Sequence, residues 1–172
     1  VKVAISGTPG TGKTEVARVL RDRGHKVKEL GALCADRGLL RDIDEERGSY
    51  EVDIEELDEA VRELENHIIL VGHLSHLLTV DMVILMRCSP SVLRERLVRR
   101  GWSEAKVREN LEAEACDVIL FEAIGHPRVF EIDTTRLCPE EAADAVEAIL
   151  RGETEKYTPG NIDWSEEVMG WF

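Results

Sequence analysis

The run Gly7-Thr8-Pro9-Gly10-Thr11-Gly12-Lys13-Thr14 narrows the possible folds more than any other feature. It follows the apolar stretch Val1 to Ser6 and satisfies G-x-x-x-x-G-K-[ST] in the strand-then-helix setting that pattern requires. Such a loop implies a nucleoside triphosphate site. Triphosphate oxygens need many donors converging on one point, and Gly7, Gly10 and Gly12 let the backbone come close without side chains in the way. Their amides, with the N-terminus of a helix opening near Lys13, make a concave site whose dipole favours negative charge. Lys13 is placed to bridge the β- and γ-phosphates, and the Thr14 hydroxyl to take one position on a Mg²⁺ held mainly by phosphate oxygens and water. An ordinary glycine-rich turn does not account for a Lys-Thr pair at this spacing.

Short apolar runs alternate with longer helical patterns, the signature of an α/β chain with a parallel sheet wrapped by helices on both faces. Strands are predicted at about Val1 to Ser6, Lys26 to Glu29, Ile68 to Val71, Met82 to Met86 and Val129 to Ile132. Helices fit Lys13 to Arg23, Ile54 to Glu65, Ser89 to Arg100, Ser103 to Ala123 and Pro139 to Arg151, from apolar spacing and from Ser or Pro near their starts. Strand order is not legible. Ligands in open parallel sheets gather at the carboxyl ends of strands, so the loops after Ser6, Glu29, Val71 and Met86 should face one cleft.

At 172 residues and 43% hydrophobic content the chain can bury one substantial core, so a single domain is expected over 1–172. No apolar run reaches the roughly 20 residues needed to cross a bilayer. The N-terminal stretch reads as a strand rather than a signal, which points to the cytoplasm. Cys34, Cys88, Cys116 and Cys138 lack paired spacing, so reduced, mostly buried thiols are expected rather than a zinc site or a disulfide framework. A net charge of -13 disfavours a broad nucleic-acid-binding face, although local basic patches remain open.

Candidates beyond the loop fall at strand ends. After the third strand the chain reads Val71-Gly72-His73-Leu74-Ser75-His76, with no carboxylate where phosphate-loop enzymes often keep one for Mg²⁺. His73 is the nearer candidate to touch a phosphate or orient a water, and His76 the more remote; either could instead be held by a backbone carbonyl. A basic stretch follows: Arg94, Arg96, Arg99, Arg100, Lys106 and Arg108, with Gly101-Trp102-Ser103 between two helices. Arg96 and Arg100 lie four apart on one helical face and could close over a transferring phosphoryl group. The competing reading is a solvated face paired with Glu95, Glu104 and Glu109. Arg87, directly after the fourth strand, is a separate cleft candidate.

These features together resemble the adenylate-kinase-like family of archaeal proteins that also includes the eukaryotic coilin-interacting nuclear ATPase. The resemblance runs nearly end to end. It rests on GTPGTGKT at Gly7 to Thr14, the loop ending in His73, the segment from Leu85 to Ala123 containing R-G-W-S-E-x-K-x-x-E-N, and the closing tryptophans. It implies an adenylate-kinase-like P-loop fold, phosphoryl transfer from ATP to AMP or other nucleoside monophosphates with Mg²⁺, and ATP hydrolysis. It further implies a part in 16S rRNA processing and late maturation of the small ribosomal subunit, through a transient small-subunit ribosomal protein partner. Carried over by position, the triphosphate site falls on Gly10, Gly12, Lys13, Thr14 and Glu15, and the lid arginine on Arg100. The lid spans about 99–109 and the monophosphate site about 30–53. Three departures stand out. Glu15 replaces a hydroxyl residue, so only its backbone amide is expected to serve the nucleotide. Val71 stands where eukaryotic relatives have Asp, and Ala35 replaces an Arg, with Arg37 or Arg41 as substitutes.

Chemistry separates the possible acceptors. A monophosphate oxygen is largely ionised near neutral pH, its second pKa being about 6, and needs no general base. A hydroxyl acceptor calls for a cleft carboxylate, as in the D-x-D after the second strand of shikimate-kinase-like chains; here that place reads Gly31-Ala32-Leu33. No N-K-x-D guanine reader begins at Asn66, Asn110 or Asn161. The alternative to a kinase is an ATP-driven assembly switch. The tail, 152–172, places Trp164, Val168, Trp171 and Phe172 on one helical face, which could complete the core or hold a partner.

Overall fold

The computed structural model describes residues 1–44 and 49–171. The chain opens with β1 (Lys2–Ser6), α1 (Lys13–Asp22), β2 (Val27–Glu29) and α2 (Leu30–Arg37), followed by β3 (Leu40–Asp44), β4 (Ser49–Val52) and α3 (Ile54–Arg62). Next come β5 (Ile68–Val71), β6 (Met82–Arg87), α4 (Pro90–Arg99), α5 (Glu104–Ala115) and α6 (Val118–Ala123). The remainder is β7 (Val129–Asp133), α7 (Pro139–Leu150) and the short α8 (Ser165–Met169). All five expected strands form, each within a residue of its predicted bounds.

Those strands make one parallel sheet in the order β2-β5-β1-β6-β7, while β3 and β4 pair antiparallel as a separate ribbon. From β1 the chain crosses to the edge at β2, returns to β5, and then jumps to the other side of β1 at β6. The reversal opens a crevice at the carboxyl ends of β1 and β5. Burial on both faces explains the unbroken apolar runs of β5 and β6. Val3, Ile5, Ile69, Ile84 and Ile132 face α1 and α7. Ala4, Val83 and Leu85 face α6, and Ile68 and Leu70 pack with α2 and α3. Each of the fully buried Ile, Leu and Met side chains in these layers contributes roughly 1.5–3 kcal/mol.

Two expectations change. The predicted helix from Ser103 to Ala123 breaks into α5 and α6 at Asp117, whose φ of 54° is left-handed. The Asp117 carboxylate pairs with Arg87, which holds the break. The thiols divide evenly: Cys34 and Cys88 are buried, whereas Cys116 and Cys138 are exposed. Helix starts follow local chemistry. Asp53 caps α3 by accepting from the Glu55 and Glu56 amides at 2.9 and 3.2 Å, and Ser103 caps α5 by accepting from the Lys106 amide at 3.2 Å. Among the described residues no helix is long and apolar enough to cross a membrane.

Candidate active site

The phosphate loop is pressed between β6 and α4, and its glycines permit this. A Cβ at Gly7 would stand 2.5 Å from the Met86 carbonyl oxygen. At Gly10, where φ is +92°, a Cβ would stand 2.8 Å from both Leu93 Cδ1 and Leu97 Cδ2. Side chains behind the loop then bind its backbone carbonyls. Thr11 Oγ1 donates to Thr8 O at 2.8 Å, Thr134 Oγ1 to Thr11 O at 2.9 Å, and Arg96 Nη1 to Gly10 O at 3.2 Å. The other Arg96 amino group donates to Thr134 O at 3.0 Å. With those carbonyls engaged, the first-turn amides of α1, which have no intrahelical acceptor, open onto the crevice.

Lys13 folds back over the loop, its Nζ donating to Gly7 O at 2.6 Å and Thr8 O at 3.0 Å. Burial and then the Arg100 guanidinium push its pKa down to about 7, with Glu114 and Glu15 pulling weakly the other way. This ammonium touches no carboxylate among the described residues, and a polyanion would stabilise it. The Arg100 guanidinium likewise makes no hydrogen bond or ion pair among the described residues and lies 5.8 Å from the Trp102 ring centroid.

Two hollows flank the loop. One, of about 350 Å³, is lined by Lys13, Thr14, Glu29, Gly72, His73 and Arg100, among others. The second, of about 310 Å³, lies beside Gly12, Glu15, Arg96 and Arg99, with Val16, Leu137, Pro139 and Ala142 as an apolar wall. Thus Gly10 and Arg100 border both hollows, Lys13, Thr14 and His73 the first, and Gly12 and Glu15 the second, on either side of the phosphate loop. The His73 imidazole keeps an exposed edge, yet the cleft wall, Lys13 and His76 all lower its pKa, to about 4, so the ring is neutral.

Other candidates stand elsewhere. His76 is buried beneath the loop, its Nδ1 2.7 Å from Ser6 Oγ and its Nε2 3.7 Å from a Glu122 carboxylate oxygen. Arg87 is no cleft residue. It is buried on the far side of the loop, Nε bound to Glu114 at 2.7 Å, Nη1 to Glu131 at 2.5 Å and Nη2 to Asp117. Arg96 donates to the Gly10 and Thr134 carbonyls and borders the second hollow, not the one lined by Lys13 and His73. Part of the basic stretch is a solvated face: Arg94 pairs with Glu104 at 2.9 Å and Arg108 with Glu112 at 3.1 Å, while Lys106 Nζ sits 3.9 Å from the Trp102 ring centroid. Of the possible monophosphate arginines, Arg37 pairs with Glu63 at 2.6 Å, and the Arg41 side chain lies outside the described residues.

Two acidic residues were missed in the sequence. Glu29 ends β2 and lines the hollow shared by Lys13, Thr14 and His73; its carboxylate lies 3.6 Å from Arg21. Its position as the last residue of a parallel strand was the available signal. Glu114 is 3% exposed and accepts from Thr8 Oγ1 at 2.7 Å. Its spacing after Val107 and Leu111 placed it on a buried helical face.

Comparison with known proteins agrees with this architecture. A family signature described as AAA domain matches residues 3–117. A protein of Archaeoglobus fulgidus named "Putative adenylate kinase" is 52% identical over 96% of this chain and 93% of its own length. Proteins of the same name from Methanothermobacter thermautotrophicus and Methanocaldococcus jannaschii are 45% and 41% identical, each over 98% of this chain and over 99% and 96% of their own lengths. Among solved structures, shikimate kinase from Acinetobacter baumannii in complex with shikimate superposes with a TM-score of 0.64 at 16% identity, over 88% of this chain and 93% of that one. Shikimate kinase from Bacteroides thetaiotaomicron gives 0.60 at 17%, over 88% and 98%. These two likenesses show the fold alone, a parallel α/β sheet flanked by helices. The near full-length identity goes further: the chain belongs to the archaeal adenylate-kinase-like family of P-loop proteins.

Proposed function

We propose that this chain is a nucleoside monophosphate kinase of the adenylate kinase type, moving the ATP γ-phosphoryl group to AMP or another nucleoside monophosphate in the cytoplasm. The observation that carries the reading is the crevice in which Lys13, Arg100 and His73 face one hollow, the two cations without an anionic contact among the described residues. The relatives' shared name supports the same acceptor class.

In this reading the apolar-walled hollow beside Val16, Leu137 and Pro139 takes the nucleotide base, and the loop amides take the phosphates. Lys13 exchanges two loop carbonyls for phosphate oxygens. Arg100 moves from Trp102 to the equatorial oxygens, where it stabilises charge and excludes water. Arg96 holds the loop in register. Neutral His73 lines the acceptor side and offers a hydrogen bond without adding charge. The acceptor phosphate is already ionised, so no residue need act as general base.

Mg²⁺ fits the donors present. Among the described residues no group of three or more His, Cys, Asp or Glu forms a cage, which suits a cation that keeps most of its waters. The exposed Thr14 hydroxyl would take one position and the Glu29 carboxylate would accept from its waters. When bound, the ion supplies neutralisation of the β- and γ-phosphate oxygens.

A second reading is an ATP-driven switch in small-subunit maturation and 16S rRNA processing, holding a ribosomal protein while ATP hydrolysis times its release. Its favouring observation is the tail, where Met169 is 76% exposed and Trp171 45% exposed. The deciding experiment is Mg²⁺-dependent turnover of ATP with and without AMP, CMP, GMP or UMP, with Lys13→Ala as control. Nucleoside diphosphate formed without matching free phosphate is expected. Free phosphate alone, indifferent to every monophosphate, would overturn the kinase in favour of the switch.

A further inference from the structure

The C-terminal tail reaches the phosphate loop through one buried carboxylate. Glu114 Oε2 accepts from Thr8 Oγ1 of the loop at 2.7 Å, while Oε1 accepts from the Trp164 indole N–H at 3.2 Å, the Cys88 amide at 3.2 Å and Arg87 Nε at 2.7 Å. A second tail donor, the Gly160 amide, meets Glu131 Oε2 at 2.8 Å, and Glu131 binds the same arginine. A third contact lands on the helix that carries Arg96 and ends at Arg100: Glu167 accepts from the Ser91 amide at 3.0 Å and Ser91 Oγ at 3.1 Å. Tail and loop therefore meet on Glu114, and tail and Arg87 on Glu131, two acceptors that burial makes costly to leave unmatched, while the Glu167–Ser91 contact to α4 is solvent-exposed.

We infer that residues 158–169 form a strap that positions the phosphate loop, with Trp164 and Glu167 as positioning residues for nucleotide binding. Losing the indole donor turns the Glu114 carboxylate back on its remaining partners and loosens Thr8. Losing the Glu167 acceptor frees the first turn of α4, the helix whose last turn carries Arg96 and Arg99. Because coupling is reciprocal, nucleotide on the loop must tighten the strap by the factor by which the strap tightens nucleotide. The inference rests on the ATP-binding part of the proposed function.

Hydrogen exchange on the full-length protein tests it, with calorimetric titration of MgATP alongside. Trp164→Phe keeps an aromatic side chain while removing the N–H donor with the pyrrole half of the indole; Glu167→Ala removes both acceptor oxygens and is the second variant, and exposed Phe121→Ala on α6 is the control. Both variants should raise exchange of the hydrogen-bonded loop amides, Thr11 and Val16, about fivefold or more without changing β2 or β5, and weaken MgATP by a similar factor. In the wild type, MgATP should slow exchange at 158–164. Faster exchange in the strap alone, with the loop amides and MgATP affinity within about twofold of wild type, would overturn the inference. Uniformly faster exchange would do the same by reducing these residues to general stability. A wild type that takes no MgATP would sink the functional reading instead, and loop exchange in the free protein would still decide the strap.

Discussion

Two charge clusters flank the phosphate loop, and similar residue types serve opposite ends in them. Behind the loop, Arg87 meets Glu114, Asp117 and Glu131. Burial opposes its charge, but the three carboxylates outweigh burial and hold the guanidinium above its ordinary range. In front, Lys13 and Arg100 have no carboxylate in contact among the described residues, and Lys13 is driven toward neutrality. A matched cation has no charge left to offer a ligand, whereas an unmatched one in a crevice is stabilised by an arriving anion. Sign and residue type do not distinguish the two clusters; the location of the carboxylates does.

The comparison breaks first at Arg87. Arg87→Ala leaves two buried carboxylates and one half-buried carboxylate without their cation, and should cost about 3–5 kcal/mol of stability by chemical denaturation. A loss under about 1 kcal/mol would make the rear cluster as dispensable as a surface pair. In front the pattern should invert. Lys13→Ala and Arg100→Ala should each lower turnover about 100-fold or more while the unfolding midpoint moves little. Arg96→Ala should fall between them, costing about 1–3 kcal/mol as the Gly10 and Thr134 carbonyls lose a donor, and weakening MgATP with it.

Protonation sharpens the contrast. With the Lys13 pKa near 7 in the free protein and raised by bound polyphosphate, the ammonium is already present below pH 7 and affinity is at its plateau. Above pH 7 binding must take up a proton, so MgATP affinity should fall by up to about tenfold per pH unit, followed by calorimetry from pH 6 to 9. A flat profile would show that the ammonium is fully charged before ligand arrives. In the free protein the sign reverses: the unfolded chain binds more protons between pH 7 and 10.5, so Lys13 adds stability as pH rises through that window. Smallest of all, Arg94→Ala should change stability by under about 1 kcal/mol, since its Glu104 partner is solvated.

How much was legible follows from the range of each interaction. The loop, the five parallel strands and most helix bounds were readable because periodicity, caps and glycine placement act over a few neighbouring residues. The break at Asp117 was not, because a partner 30 residues earlier, Arg87, holds it. The same holds for Arg87 itself, which a strand-end rule placed in the cleft before its three carboxylates were known to lie behind the loop. His73 and His76 are three residues apart, yet the turn at Ser75–Leu77 sends one to the crevice and the other under the sheet, against Ser6.

By itself the sequence determined that this chain folds as a parallel sheet led by a phosphate loop, since that motif and the alternation around it carry their own geometry. Only the tertiary structure decided which charges are matched. It put Glu29 beside Thr14, set Glu114 between the loop and Trp164, and left Arg100 without an anionic partner among the described residues. The physical reason is that pairing energy depends on distances and burial between residues far apart in the chain, which local pattern does not encode.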